Sequence, residues 1–202
     1  MDQNTLLANL NHHIECSFDI AQKLGIENIF DKYKYREVQV ASVLGHKVFI
    51  GASGGKQETN DNFGADATDQ NGKKAEYKSM TVDQKDLDKL LGNNRRGTTL
   101  KVGGVYNGAY KDTSIEAYRE IDHYFSVHYK GVVVAIAKVN TDHVCDTLTK
   151  NNNKRIKENK RRAAADEDAA TTNCNTVKVE FTEGNPNIKF SYKNPEFPWN
   201  CE

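Results

Sequence analysis

The stretch Gly64-Ala65-Asp66-Ala67-Thr68-Asp69-Gln70-Asn71-Gly72-Lys73-Lys74-Ala75-Glu76-Tyr77-Lys78-Ser79 decides how the rest of the chain is read. It contains Asn-Gly between two runs that alternate small or apolar residues with polar ones, a strong hairpin signal. Phe63 to Thr68 and Lys73 to Ser79 therefore read as antiparallel strands. Glu76 and Lys78 are two apart, so on a strand they share a face. Where Asp66 falls depends on the turn. A three-residue loop Gln70-Asn71-Gly72, with Gly72 left-handed, pairs Asp69 with Lys73 and sets Asp66 opposite Glu76. A two-residue Asn-Gly turn sets Asp66 opposite Tyr77 instead. Only the first gathers Asp66, Glu76 and Lys78 on one face, and the sequence permits both.

Outward from the hairpin, the pattern is mixed α/β. Thr5 to Lys23 spaces Leu6, Leu7, Leu10, Ile14 and Phe18 three or four apart, one apolar face of a helix. A second helix is predicted over Tyr33 to Leu44, stopped by Gly45. His46 to Ile50 reads as a strand, and Gly51 to Asn62 as a glycine-rich polar loop. After the hairpin, Thr81 and Gln84 make a capping box, and Leu87, Leu90 and Leu91 supply a helix face. Thr98 to Tyr106 reads as the next strand, giving the layout of a βαβ crossover from Lys73–Ser79. Ile115 to Ile121 is a short helix or turn. His123 to Tyr129 and Val132 to Val139 are strands joined at Lys130-Gly131, and the apolar run VVVAIA suits a strand covered on both faces. A polar helix runs from Thr141 toward Asp168. Val177 to Phe181 and Ile188 to Tyr192 are late strands, and Trp199 beside Pro198 is expected to anchor the tail. The fold class is α/β, a central mixed β-sheet flanked by helices, on one domain of residues 1–202. Its core is expected at about 33–139, a basic helical segment at 141–168, and C-terminal strands and tail at 176–202.

Composition narrows the function. The chain has 202 residues, 37% of them hydrophobic, enough to build a core. No run approaches the ~18 apolar residues of a membrane helix, and the N-terminus, with an acid at position 2, does not read as a signal peptide. Cys16, Cys145, Cys174 and Cys201 form no CxxC pair. Neither His13/Cys16 nor His143/Cys145 has zinc-ligand spacing, so the cysteines read as reduced thiols of an intracellular, cytoplasmic protein. Net charge is zero, but Lys150 to Arg162 holds seven cations and one acid, a net +6 that leaves −6 elsewhere. A basic block on an otherwise acidic chain fits a phosphate-binding face beside a carboxylate-rich centre. A solvated helix face is the equal alternative.

Two carboxylates and an ammonium at one spot suit metal-dependent phosphodiester hydrolysis. Asp66 and Glu76 would hold a hard cation such as Mg²⁺. Lys78 would position the attacking water or stabilise charge building on the phosphate. The competing account is an ordinary exposed hairpin with a cross-strand salt bridge. On the helix before the sheet, Glu37 lies three, four and seven residues before Val40, Ala41 and Leu44, on the inward stripe. An acid there is costly unless paired or metal-linked.

Asp66 to Lys78 resembles the signature of the PD-(D/E)xK nuclease superfamily, and specifically its type II restriction endonucleases. That resemblance implies an Asp at the start of the second core strand, E-x-K on the third, a helix crossing to the fourth, and a further carboxylate from a preceding helix, the place Glu37 occupies. Ala65 stands where the family pattern has Pro. The resemblance implies a Mg²⁺-dependent, sequence-specific endonuclease of double-stranded DNA, with Asp66, Glu76, Lys78 and Glu37 as catalytic residues. A palindromic site would be matched most simply by a homodimer. Asn93, Asn94, Arg95 and Arg96, and the run Asn151-Asn152-Asn153-Lys154-Arg155, hold types that read purine edges, Arg for guanine and Asn for adenine, although each segment also reads as a polar turn. Lys157, Lys160, Arg161 and Arg162 would contact phosphates. His123 and His128 flank a strand and read as core or edge residues rather than catalytic ones. Gly103, Gly104 and Gly108 around Tyr106 would permit close backbone approach to DNA, or simply break a loop. The alternatives are a repair or junction-resolving nuclease of the same fold, and a non-enzymatic DNA-binding domain.

Overall fold

The structure, a computed structural model, describes residues 12, 13, 16, 17, 19–21, 23, 32–49, 65–93, 97–107, 112–165, 167, 168 and 174–199. Most of the expected Thr5–Lys23 helix and all of the Gly51–Asn62 loop lie outside these residues; the described positions at 12, 13, 16, 17, 19–21 and 23 are helical. In chain order the elements are α1 (Lys32–Leu44), β1 (Lys47–Val48), β2 (Ala67–Thr68), β3 (Lys74–Thr81), α2 (Gln84–Leu90), β4 (Lys101–Asn107), α3 (Asp112–Arg119), β5 (Asp122–Tyr129), β6 (Val132–Val139), α4 (Thr141–Ala164), β7 (Cys174–Glu180) and β8 (Ile188–Lys193).

The architecture is α/β with a mixed six-stranded sheet in the order β1-β2-β3-β5-β6-β8. β3 and β5 run parallel, and the other neighbours are antiparallel. The strands buried on both faces are at the centre. Asp122 to His128 of β5 and Val133 to Ala137 of β6 are buried throughout, as a sheet covered on two sides requires. β5 and β6 meet at a two-residue turn in which Lys130 (φ 47°) and Gly131 (φ 81°) are both left-handed, the geometry whose twist matches a tight hairpin. On one face, Val40 and Ala41 of α1 pack on Ala67, Ala75, Tyr77, Tyr124, Val133 and Ile136. On the other, Leu87, Tyr106, Ile115, Phe125, Val127, Leu148 and Phe181 form the larger core under α2, α3, α4 and a separate two-stranded ribbon of β4 and β7.

That ribbon corrects the expected crossover. The strand parallel to β3 is β5, not β4; β4 pairs with β7 alone in the second sheet. The reason is in the burial pattern. β4 alternates buried Val102, Gly104 and Tyr106 with exposed Lys101 and Val105, a strand with one wet face. β5, buried on both faces, takes the interior place, and β4 lies over the sheet as cover. The capping box is also corrected. Thr81 still belongs to β3, opposite His128, and Asp83 caps α2 by accepting the Asp86 N–H at 2.8 Å. Near the C-terminus, Trp199 donates its indole N–H to the Asn194 carbonyl at 2.8 Å and packs on Phe190, anchoring the tail.

Candidate active site

The hairpin turn is the three-residue one. Gly72 has φ 80°, its N–H meets the Asp69 carbonyl at 3.1 Å, and Asp69 N–H meets the Lys73 carbonyl at 2.9 Å. The Asp69 carboxylate caps the loop by accepting the N–H groups of Asn71 and Lys73, each at 2.8 Å. Ala67 consequently pairs with Ala75 and Thr68 with Lys74, and Asp66 falls opposite Glu76. Asp66 stands just before β2. Its own N–H reaches the Ala75 carbonyl at 2.8 Å, and its Oδ2 accepts the Tyr77 N–H at 2.7 Å. The side chain thereby extends the backbone ladder one step beyond the strand.

On β3, Tyr77 turns toward α1, and Glu76 and Lys78 turn to the opposite face, under β4. This is not an exposed hairpin. Glu76 is 5% exposed, and the Lys78 side chain, in contact with the Glu76 carboxylate, is 19% exposed. The surface salt-bridge account therefore fails on burial. Burial raises the Glu76 pKa although Lys78 pulls it down. For Asp66, burial first and the Glu76 charge second raise the carboxyl to about 8, against the pull of Lys78 and the Tyr77 N–H. Asp66 keeps the proton and gives it in a hydrogen bond to Glu76, since two buried carboxylates this close do not both ionise without a counter-charge. Burial opposes the Lys78 charge, but Glu76 and Asp66 outweigh it and hold the ammonium's pKa above its ordinary value.

Glu37 enters from α1. Its carboxylate is half-buried and pairs with Lys34 Nζ at 2.9 Å, and Lys34 also donates to the Phe49 carbonyl at 3.1 Å. Burial, then the Asp66 charge, raises its pKa. The inward stripe thus brings Glu37 into electrostatic reach of Asp66, Glu76 and Lys78.

The charge inventory tests whether a divalent cation suits the site. With Asp66 protonated, Glu76 faces Lys78 and Glu37 faces Lys34, so the group is balanced. Ionising Asp66 leaves one buried negative charge over; a divalent cation displacing the proton would turn this into a net charge of about +1, which one phosphodiester anion would balance. Among the described residues no three His, Cys, Asp or Glu side chains form a ready-made cage. Mg²⁺ needs none, because it is held by one or two carboxylates and completes its shell with water and substrate phosphate. Asp66 and Glu76 fit that requirement.

The basic segment stands apart. α4 is anchored by Val144, Cys145, Leu148 and Asn152 against α3, β5 and β7, and its last three turns bear the cations. Lys154, Lys157 and Lys160 are exposed. Arg161 and Arg162 both bind Glu158, at 2.9 and 3.0 Å, and Arg161 also reaches Glu167 at 3.4 Å. Arg155 donates to the buried Asn152 at 2.8 Å. The charged groups acting most strongly on Asp66 and Glu76 are Lys78 and one another, and Lys34 acts on Glu37. Asn93 is exposed just after α2; Asn94, Arg95 and Arg96 lie outside the described residues.

Three neighbours of Lys78 were not singled out as site residues by sequence reasoning: Gly104, Tyr106 and His123. Tyr106 places its ring 4.9 Å from Lys78 Nζ and shares a 3.1 Å hydrogen bond with His123. Glycines flanking Tyr106 do signal a close approach, but the approaching group is Lys78. His128 is buried and bonded to Ser126 at 3.0 Å, away from the carboxylates on the α1 face. No family model matches the chain, and no curated protein matches it in sequence.

Proposed function

We propose that the protein is a Mg²⁺-dependent endonuclease that hydrolyses phosphodiester bonds of double-stranded DNA at a specific sequence, a cytoplasmic type II restriction enzyme of the PD-(D/E)xK kind with a restriction-endonuclease-like core. The observation that carries the reading is the register of the β2–β3 hairpin, which gathers Asp66, Glu76 and Lys78 into one buried cluster with Glu37 beside it. The order of elements supports it: Asp66 immediately precedes β2, E-x-K lies on β3, a helix-containing crossover leads to the parallel strand β5, and α1 precedes the sheet and contributes an acid. A binding domain would gain nothing from these acids, because carboxylates beside phosphate repel it.

Asp66 and Glu76 would hold the Mg²⁺, which when bound neutralises the phosphate and lowers the pKa of water. The protein's own groups do the rest. Lys78, kept protonated, donates to the attacking water or to a phosphate oxygen as negative charge accumulates there. Glu37 orients water by accepting its hydrogen. Lys154, Lys157 and Lys160 on α4 attract the DNA backbone, and a homodimer would present two such sites to a palindrome.

The test is digestion of a panel of supercoiled plasmids with Mg²⁺, with and without chelator. Discrete chelator-sensitive fragments are expected. A smear would reassign the protein to nonspecific or repair cleavage. No cutting, together with tight DNA binding, would overturn the enzyme reading in favour of a binding domain.

A further inference from the structure

β4 crosses the sheet directly above Lys78. A Cβ on Gly104 would lie 2.4 Å from Lys78 Cγ, 2.7 Å from its Cβ and 3.0 Å from its Cδ. These atoms form the root of the side chain, so swinging the flexible end does not relieve the collision. Two residues along the strand, the fully buried Tyr106 sets its ring 4.9 Å from the Lys78 ammonium, within the range of a cation–π attraction. The ring is itself held. The His123 Nε2–H donates to the Tyr118 carbonyl at 2.9 Å, so Nδ1 carries the lone pair and accepts the Tyr106 hydroxyl at 3.1 Å. Tyr118 braces Tyr106 edge-on, with ring centroids 5.1 Å apart. Glu76 closes the opposite side.

We propose that Gly104 and Tyr106 are the positioning residues of Lys78: together with Glu76 they form a slot that fixes the lysine stem and aims its ammonium at the scissile phosphate. The inference rests on the nuclease reading and deepens it. Stability alone does not account for the slot. A glycine inside a strand weakens it, and a buried ion pair is a poor substitute for apolar packing. Both features are explained if the lysine must be held charged in one orientation. Neither Gly104 nor Tyr106 touches the reacting atoms, so each acts through Lys78.

The experiment compares Gly104→Ala, Tyr106→Leu and Tyr106→Phe in the wild-type and Lys78→Ala backgrounds. Single-turnover cleavage with saturating Mg²⁺, DNA binding in Ca²⁺ and melting are measured for each. Gly104→Ala and Tyr106→Leu should slow cleavage on the order of tenfold to a hundredfold, the scale of a misplaced catalytic group. DNA affinity should stay within about twofold, because binding precedes the step the lysine serves. Tyr106→Phe keeps the ring and should retain most of the rate. In the Lys78→Ala background, Gly104→Ala should add no slowing, and its loss of melting temperature should shrink without vanishing, since the contacts to Cγ and Cδ are gone while the Cβ at 2.7 Å remains. Wild-type rates in Gly104→Ala and Tyr106→Leu would overturn the proposal while leaving the nuclease reading intact. Equal losses in both backgrounds would overturn it as well. A wild-type protein that cuts no DNA would overturn the nuclease reading, and the melting cycle would still decide whether the slot couples to Lys78.

Discussion

The β2–β3 hairpin and the second half of α4 both carry many charged residues, and they treat charge in opposite ways. At the hairpin, Asp66, Glu76 and Lys78 are removed from water, so each sets the protonation of the others. On α4 the cations stand in solvent, and two of them are tied to Glu158 on the same helix. Glu158 shows the contrast: its two arginines lower it to about 2, and burial raises Asp66 to about 8. Charge density along a sequence therefore says little about chemical use; desolvation separates a reactive group from a solvated face.

The sharpest break is at the carboxylates. Asp66→Asn and Glu76→Gln should each cut DNA more slowly by about a thousandfold or more, since losing a cation ligand removes several kcal/mol of transition-state stabilisation. Near-normal single-turnover cleavage by either variant sinks the assignment. Asp66→Asn should nevertheless melt higher than wild type at pH 8, because it removes an ionisable group held against its own charge.

Lys78→Ala should slow hydrolysis on the order of a hundredfold while preserving DNA binding in Ca²⁺. It should also destabilise by about 3 kcal/mol at pH 8, as breaking a buried pair does, and by less as the pH falls, because burial favours the protonated Glu76 carboxyl once Lys78 no longer opposes it. An exposed pair would lose only about 0–1 kcal/mol. Arginine should not rescue, because its longer planar fork does not fit a lysine slot.

The hairpin's protonation predicts a stability profile. Asp66 is raised in the folded chain from an ordinary 3.8 to about 8, so the folded state binds a proton that the unfolded state releases. That stability is fully present below about pH 4 and is lost as pH rises to about 8; Glu76, also raised, acts in the same direction. Melting in chelator should fall across this window, and millimolar Mg²⁺ or Ca²⁺ should restore it at pH 8 by replacing the proton. If Asp66→Asn keeps the wild-type slope, Asp66 is not the group responsible.

The smallest effect belongs to α4. Replacing Lys157, Lys160, Arg161 and Arg162 with Ala should change stability by no more than about 0.5 kcal/mol and weaken binding to all DNA sequences alike. Lys157→Ala with Lys160→Ala should flatten the salt dependence more than Arg161→Ala with Arg162→Ala, whose cations are already partnered by Glu158. An unchanged slope in the quadruple variant would move the phosphate contacts elsewhere.

Much of this was legible in the residues. Asn71-Gly72 marks the hairpin and limits it to two turns; Gly72 is left-handed in either, so the choice that sets Asp66 opposite Glu76 was left to the structure. The stripe Glu37, Val40, Ala41, Leu44 puts an acid on the inward face of α1, and the unbroken VVVAIA run marks β6 as a strand covered on both faces. These are local matters of backbone sterics and periodicity, carried by neighbouring positions. The partner of β3 was not legible, because β4 and β5 are both plausible strands and only the competition for two-sided burial separates them. Nor was the depth of the site. Glu76 and Lys78 have the spacing of a surface pair, and it takes β4, some twenty-five residues later, to cover them. That covering strand supplies the low dielectric that raises Asp66, and through Gly104 and Tyr106 it holds Lys78 in place. The sequence by itself determined that Glu76 and Lys78 share a face, and it limited Asp66 to two registers. Only the tertiary structure decided that they meet out of water, because desolvation depends on everything packed around a group and not on its neighbours in the chain.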